Sequence, residues 1–233
     1  MKRLILAFLT FLTIVSCKKN NIQIEPLASV SIVNAVLDGK VAKLNSGLRD
    51  SCQNMDYKHF SILAGQSSQI KVYPSGSPNA TYFNQSPNTQ AGEIYSLFLT
   101  GTNTAPESVL IKESIPPYPS EEVINVRIIN LAPGSVPLSL TMGNAPTTNI
   151  FSNVSYKQAS GFKTLPFPAT LPTDGDLFQV RDGAGNLLLT YSMPISGTVS
   201  QTSSRKRNIT LVIKGVSGGI GNNAFGTLVL PHY

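Results

Sequence analysis

Apolar residues in this chain come in short runs, alternating or continuous, bounded by Gly, Pro, Asn and Ser. No stretch sustains the three-to-four spacing of a long amphipathic helix. Short period-two or continuous runs between turn-forming residues are the pattern of β-strands. The pattern predicts strands over 29–35, 41–44, 59–63, 68–73, 94–100 and 108–113, then over 124–131, 137–142, 161–165, 176–182, 186–193, 208–214 and 226–230. Within the seventh of these, alternation places Val126, Ile128 and Asn130 on one face and Arg127 and Ile129 on the other. Leu131-Ala132-Pro133-Gly134 reads as the turn that follows, because Pro presets φ and Gly tolerates positive φ. Asp182-Gly183-Ala184-Gly185-Asn186 reads as a hairpin loop.

The pattern repeats. The segment 29–35 matches 125–131, and Tyr57-Lys58-His59-Phe60-Ser61 matches Tyr156-Lys157-Gln158-Ala159-Ser160. Gln69-Ile70-Lys71 matches Gln179-Val180-Arg181, 95–101 matches 209–215, and Ser108-Val109-Leu110 matches Thr227-Leu228-Val229. The offsets are 96, 99, 110, 114 and 119 residues, and they only increase along the chain. A duplication whose second copy has longer loops gives that order, whereas chance matches would scatter. Each copy has about 100 residues, the size of a β-sandwich domain. In each copy the first strand ends in an asparagine, Asn34 or Asn130. Between the copies, Ile115-Pro116-Pro117-Tyr118-Pro119-Ser120-Glu121 opposes helix and central-strand pairing and favours an extended, semi-rigid spacer.

The N-terminus differs from everything after it. Met1-Lys2-Arg3 is basic, and 4–15 is an apolar run with threonines that Lys18-Lys19-Asn20-Asn21 follows closely. Its 12 residues fall short of the roughly 20 that cross a bilayer as a helix. A basic start and a short apolar run form a secretory signal. Ile14-Val15-Ser16-Cys17 resembles the lipobox of bacterial lipoproteins, in which cleavage before the cysteine leaves it diacylated as the new N-terminus. The alternative is an ordinary signal peptide with a coincidental cysteine. One acyl chain holds a membrane marginally, at about 0.8 kcal/mol per buried CH₂, whereas two or more hold firmly. The resulting division is signal peptide 1–16, lipidated N-terminus and spacer 17–25, first domain 26–115, linker 116–121 and second domain 122–233.

Composition adds constraints. The formal charge of +6 includes Lys2 and Arg3, and the remaining basic residues are scattered. Nucleic-acid binding calls for a clustered basic stripe with interleaved aromatics, so no nucleic-acid partner is expected. Charged residues are 13%, against about a quarter in typical proteins, with Ser, Thr, Asn, Gly and Pro taking the polar positions. Lipidation of Cys17 leaves Cys52 without a partner in its own chain, which reads as a small buried hydrophobe.

Val126-Arg127-Ile128-Ile129-Asn130-Leu131-Ala132-Pro133 resembles the opening motif of the bacterial "domain of unknown function 4397" family, a strand of the form V-R-V-V-N-x-S-P. The segment 156–160 is similar to that family's tyrosine position before a strand. In the first copy, Ala35-Val36-Leu37-Asp38-Gly39 lacks the proline of the motif. The resemblance implies immunoglobulin-like sandwiches, often in tandem behind a lipoprotein signal, and transfers no catalytic residue. The expected fold class is therefore all-β, two tandem antiparallel immunoglobulin-like β-sandwich domains.

Several groups carry candidate chemistry. Cys52, Asp56 and His59 lie close in sequence, as a partial zinc set or a thiol–imidazole pair. His232 is the other histidine, too distant in sequence to complete a ligand set by spacing, so no metal is expected. Asp174-Gly175-Asp176 offers oxygen ligands to calcium or, as the simpler reading, a turn. The loop 215–223 is glycine-rich but lacks the Gly-Lys-Ser/Thr ending of a phosphate loop. Arg205-Lys206-Arg207 is the one dense charge run, a contact for lipid head groups or acidic polysaccharide, or simply a solvated strand entrance. Tyr82-Phe83 is the best aromatic pair for stacking on a sugar, unless its loop packs onto its own domain. No constellation specifies catalysis and no cofactor is implied. The expectation is a non-enzymatic lipoprotein of the cell envelope, lipid-anchored at the outer membrane, that binds glycan or protein. An accessory subunit of an outer-membrane complex is the alternative, and a hydrolase is a distant third.

Overall fold

A computed structural model describes residues 25–45, 50–65, 69–120, 123–166, 176–192 and 206–232. The chain is all-β. The first eight strands are β1 (Leu27–Asn34), β2 (Ala42–Leu44), β3 (Ser51–Cys52), β4 (Asp56–Leu63), β5 (Ile70–Pro74), β6 (Phe83–Gln85), β7 (Ile94–Gly101) and β8 (Pro106–Lys112). The second eight are β9 (Val123–Asn130), β10 (Leu138–Met142), β11 (Ala145–Val154), β12 (Lys163–Pro166), β13 (Asp176–Arg181), β14 (Leu187–Ser192), β15 (Asn208–Lys214) and β16 (Gly226–His232). One 3₁₀ turn, Gly221–Asn223, lies between the last two.

The strand orders repeat in full. The first eight strands form sheets β4-β1-β7-β8 and β3-β2-β5-β6. The second eight form β12-β9-β15-β16 and β11-β10-β13-β14, so every strand reappears eight places later in the same position. Among the described strands, pairing is antiparallel except at one place per copy, where β1 runs parallel to β7 and β9 parallel to β15. The architecture is a tandem pair of two-sheet sandwiches. In the immunoglobulin arrangement the first strand pairs with the second in sheet A-B-E-D. Here the first strand instead takes a central place beside the seventh.

Register tests the repeat residue by residue. Val30 faces Tyr95 in the first copy, as Val126 faces Ile209 in the second, which gives the offsets 96 and 114. Leu97 faces Leu110, as Leu211 faces Val229, which gives 119. The tyrosine match is corrected. Val33 faces Tyr57, while its counterpart Ile129 bridges to Ala159, an offset of 102. One residue further is inserted before β12, because Val30 faces Phe60 while Val126 faces Lys163. Gly101 and Gly215 are equivalent, and both have positive φ, 75° and 79°. A Cβ at either would collide with the main chain, at Ala105 and at Ala224.

Period-two alternation fills each sandwich. Val30, Ile32, Leu97 and Leu99 face the first core, and Ile128, Leu140, Phe178 and Leu211 face the second. The opposite faces are apolar too. Val33, Ala35 and Phe98 of the first copy join Ile129, Leu131, Val212 and Leu230 of the second in a third buried cluster. Sheets β4-β1-β7-β8 and β12-β9-β15-β16 are therefore covered on both faces, and the body has four layers with three cores. The semi-rigid spacer is accordingly a pinned strap. Asn208 Nδ2 donates to the Pro116 carbonyl at 2.7 Å, and the Tyr118 hydroxyl donates to the His232 carbonyl at 2.9 Å. Further ties join the copies: Thr100 Oγ1 donates to the Leu131 carbonyl at 2.8 Å, and Lys157 bonds Glu107 at 2.5 Å. The Asp38 amide and carboxylate meet the Asn223 side-chain amide at 3.0 and 2.6 Å.

Candidate functional site

The outward face of β1 is polar near its start and apolar near its end. Ser29 and Ser31 precede Val33 on that face. In register, β4 sets Ser61 opposite Ser29 and His59 opposite Ser31. β16 of the second sandwich brings His232, and the chain after β8 brings Ile115. These residues, with Val30, Phe60 and Ile94, line a cleft of about 290 Å³ between the sandwiches. Ser61 and His59 are exposed, while Ser31 and His232 are 4% and 2% exposed, so the cleft runs from solvent to the inter-sandwich core.

A buried polar chain closes its inner end. Glu113 Oε1 accepts from Arg127 Nη2 at 2.5 Å, with side-chain exposures of 0% and 6%. Arg127 Nε donates to Thr210 Oγ1 at 2.7 Å, and Thr210 Oγ1 lies 2.6 Å from His232 Nε2. Thr210 Oγ1, one donor with two acceptor lone pairs, thus links the guanidinium to the imidazole. The ring is held in its neutral form. Burial first, then the nearby Arg127 and His59 charges, pushes the His232 imidazolium down to about 3. Burial also lowers His59, whose Nδ1 lies 2.8 Å from Ser31 Oγ. Arg127 stacks on Phe162 at 4.8 Å, and His232 meets the same ring edge-on at 5.5 Å.

The Ser31–His59 pair invites comparison with a nucleophile and its base. Ser31 sits in mid-strand between two paired neighbours, β4 and β7, so the ladders occupy the surrounding N–H groups.

His59 is not brought to Cys52 and Asp56. β3 and β4 belong to opposite sheets, with Cys52 turned into the first core and His59 onto the inter-sandwich face. Cys52 is 1% exposed, and its Sγ points at the carbonyl oxygens of Ile32 and Asp56 at 3.5 and 3.4 Å. Burial first, then the Asp56 charge, pushes its thiol up to about 12. Only the thiolate reacts readily. Cys52 in the native protein is therefore expected to resist a maleimide or disulfide reagent and to react fully in denaturant. Fast labelling without denaturant would contradict the buried placement. Among the described residues, no group of three or more His, Cys, Asp or Glu is gathered for a metal.

Tyr82 and Phe83 are 4% and 5% exposed and belong to the first core. The Tyr82 hydroxyl accepts from the Lys40 amide at 2.9 Å and donates to Asn103 Oδ1 at 2.7 Å. They are corrected from a surface stacking pair to a structural one. Lys206 and Arg207 are exposed, and Arg207 lies over the Tyr118 ring of the strap at 5.6 Å. Arg205, Cys17, Asp174 and Gly175 lie outside the described residues. Asp182 does form the expected loop, its Oδ1 accepting from the Ala184 and Asn186 amides at 2.9 and 2.8 Å. The loop 215–223 meets the β1–β2 connection at Asp38. It also lines a second cavity of about 470 Å³ with Pro133, Val136, Leu188 and Phe225.

Sequence reasoning missed Ser31 and Glu113 and the roles of His232 and Arg127. The one legible signal was a guanidinium at position 127 between Val126 and Ile128, the sole charge in a strand whose other polar residues are Asn125 and Asn130. No protein-family model matches the chain. No curated protein matches it either.

Proposed function

We propose that this chain is an envelope lipoprotein, cut before Cys17, acylated there and held at the outer membrane. It presents its paired sandwiches as a non-enzymatic binding or adhesion module. The observation that carries the reading is the short apolar run at 4–15 ending in Ile14-Val15-Ser16-Cys17. The resemblance of 126–133 to a family often tethered in this way supports it. The domains in this reading are the sandwich units of that family, acting on glycan or protein. A four-layer body joined by a buried core suits presentation, because a ligand bound between packed layers costs little ordering entropy.

Growth of expressing cells with an alkynyl palmitate tests the anchor. The parent protein should take up the label and fractionate with membrane, and Cys17→Ala should do neither. Unlabelled parent protein would sink the lipoprotein reading. Glycan arrays and pull-downs with the full-length protein in detergent test the binding role. No ligand, together with a normal envelope on deletion, would count against it.

A second reading, an accessory subunit of an outer-membrane complex, draws on the other end of the molecule. Val136 and Leu188 line the second cavity and are exposed, an apolar surface suited to a protein neighbour. Co-purification of a stoichiometric partner would favour it.

A further inference from the structure

We infer that the inter-sandwich cleft takes one end of a neutral sugar chain. The inference rests on the binding role proposed above and gives that role a site and a ligand class. Among the described residues, the cleft is lined by no Lys, Arg, Asp or Glu. A charged ligand would enter uncompensated, and the two imidazoles are held towards their neutral forms. What the cleft offers instead is hydroxyls and imidazole nitrogens beside aliphatic surface. Ser29 and Ser31 stand two residues apart on one face of β1, about 7 Å. Ser61 lies opposite Ser29. With Nε2 engaged by Thr210, Nδ1 is the ring nitrogen that His232 has left for a ligand. Ile94 and Ile115 supply the apolar surface. A pyranose combines the same two features, an edge of hydroxyls and a face of C–H groups. The volume of 290 Å³ stands at the small end of ligand pockets, which start near 300 Å³, and suits a ring or two but no folded partner. The exposed mouth at His59 and Ser61 leaves room for the rest of a chain.

The experiment is calorimetric titration of the full-length protein in detergent. The probes are glucose, galactose, mannose, N-acetylglucosamine and their β-linked disaccharides, with glucuronate as the charged counterpart. At least one neutral sugar should bind and glucuronate should not. His59→Ala, which removes an exposed polar group, should weaken binding about tenfold. Ser29→Trp, which fills the mouth from an exposed position, should abolish it while leaving the unfolding transition in place. Neutral-sugar binding that survives Ser29→Trp unchanged overturns the assignment of the cleft and leaves the binding role standing. Binding of glucuronate or of a protein partner, with no neutral sugar bound, overturns the ligand class. If no sugar binds and no glycan or protein is captured in the array and pull-down experiments, the inference and the binding role fall together.

Discussion

Arg127→Ala should lower the free energy of unfolding by about 3–5 kcal/mol, the cost of breaking a buried ion pair from one side. Glu113 lies at the end of the first sandwich and Arg127 in the second, and both side chains are almost fully withdrawn from water. Alanine strands the Glu113 carboxylate, whose Oε2 already has no hydrogen-bond partner among the described residues. It also removes the donor to Thr210 and the cation stacked on Phe162. Glu113→Leu with Arg127→Met takes away both charges and keeps the volume, so the double variant should regain most of the loss. Replacing a whole buried pair is often neutral or stabilising. Guanidinium unfolding of the parent, both single variants and the double variant closes the cycle. A single variant within about 1 kcal/mol of the parent would mean that water reaches the pair. A double variant no better than the singles would place the loss in the Thr210 and Phe162 contacts.

The same pair marks the limit of what the sequence makes legible. Core strands were readable because their inward faces alternate, and the duplication was readable because β1, β7, β8 and their counterparts keep core spacing. Strands β3, β6 and β11 were missed for different reasons. The first two have two and three residues. β11 reads Ala-Pro-Thr-Thr-Asn, lies at a sheet edge and pairs with β10 through register shifts. The tyrosine match failed because identity outweighed position. Tyr156 precedes the bridge at Ala159 and reaches back to Glu107 and Thr100, whereas Tyr57 sits within the ladder.

Packing of one sandwich on the other was hidden by a real ambiguity. A strand apolar on both faces is a buried central strand, but nothing local says what buries its second face. Val33, Phe98, Ile129 and Val212 looked like core and are core, of an interface rather than a domain. Neighbours in sequence misled in the opposite direction. Cys52 and His59 are seven positions apart and on opposite sheets, while Ser31 and His59 are 28 apart and bonded. The candidate site is made of long-range pairings, so it could emerge only with the register.

The largest pH effect should come from His232. An ordinary histidine titrates near 6.5, and burial holds His232 down to about 3 in the fold. Between those values the unfolded chain binds a proton that the folded chain refuses. Stability is therefore full above about pH 6.5 and declines as pH falls towards 3. Each pH unit in that window costs the folded state about 1.4 kcal/mol, so the fall from pH 7.5 to 5 should remove roughly 2 kcal/mol. His59, also lowered by burial, acts in the same direction but is partly exposed and adds less. The hydrogen-bond chain gives the physical reason. A protonated His232 would set a second cation beside Arg127 in a site withdrawn from water. His232→Gln keeps an acceptor for Thr210 and removes the titration. Its stability should change far less between pH 7.5 and 5, whatever its absolute value. Denaturant midpoints at pH 7.5, 6.5, 5.5 and 5 for parent, His232→Gln and His59→Gln separate the two imidazoles. Equal slopes in the parent and His232→Gln would show that the buried ring takes up its proton without cost, contrary to the network that closes the cleft.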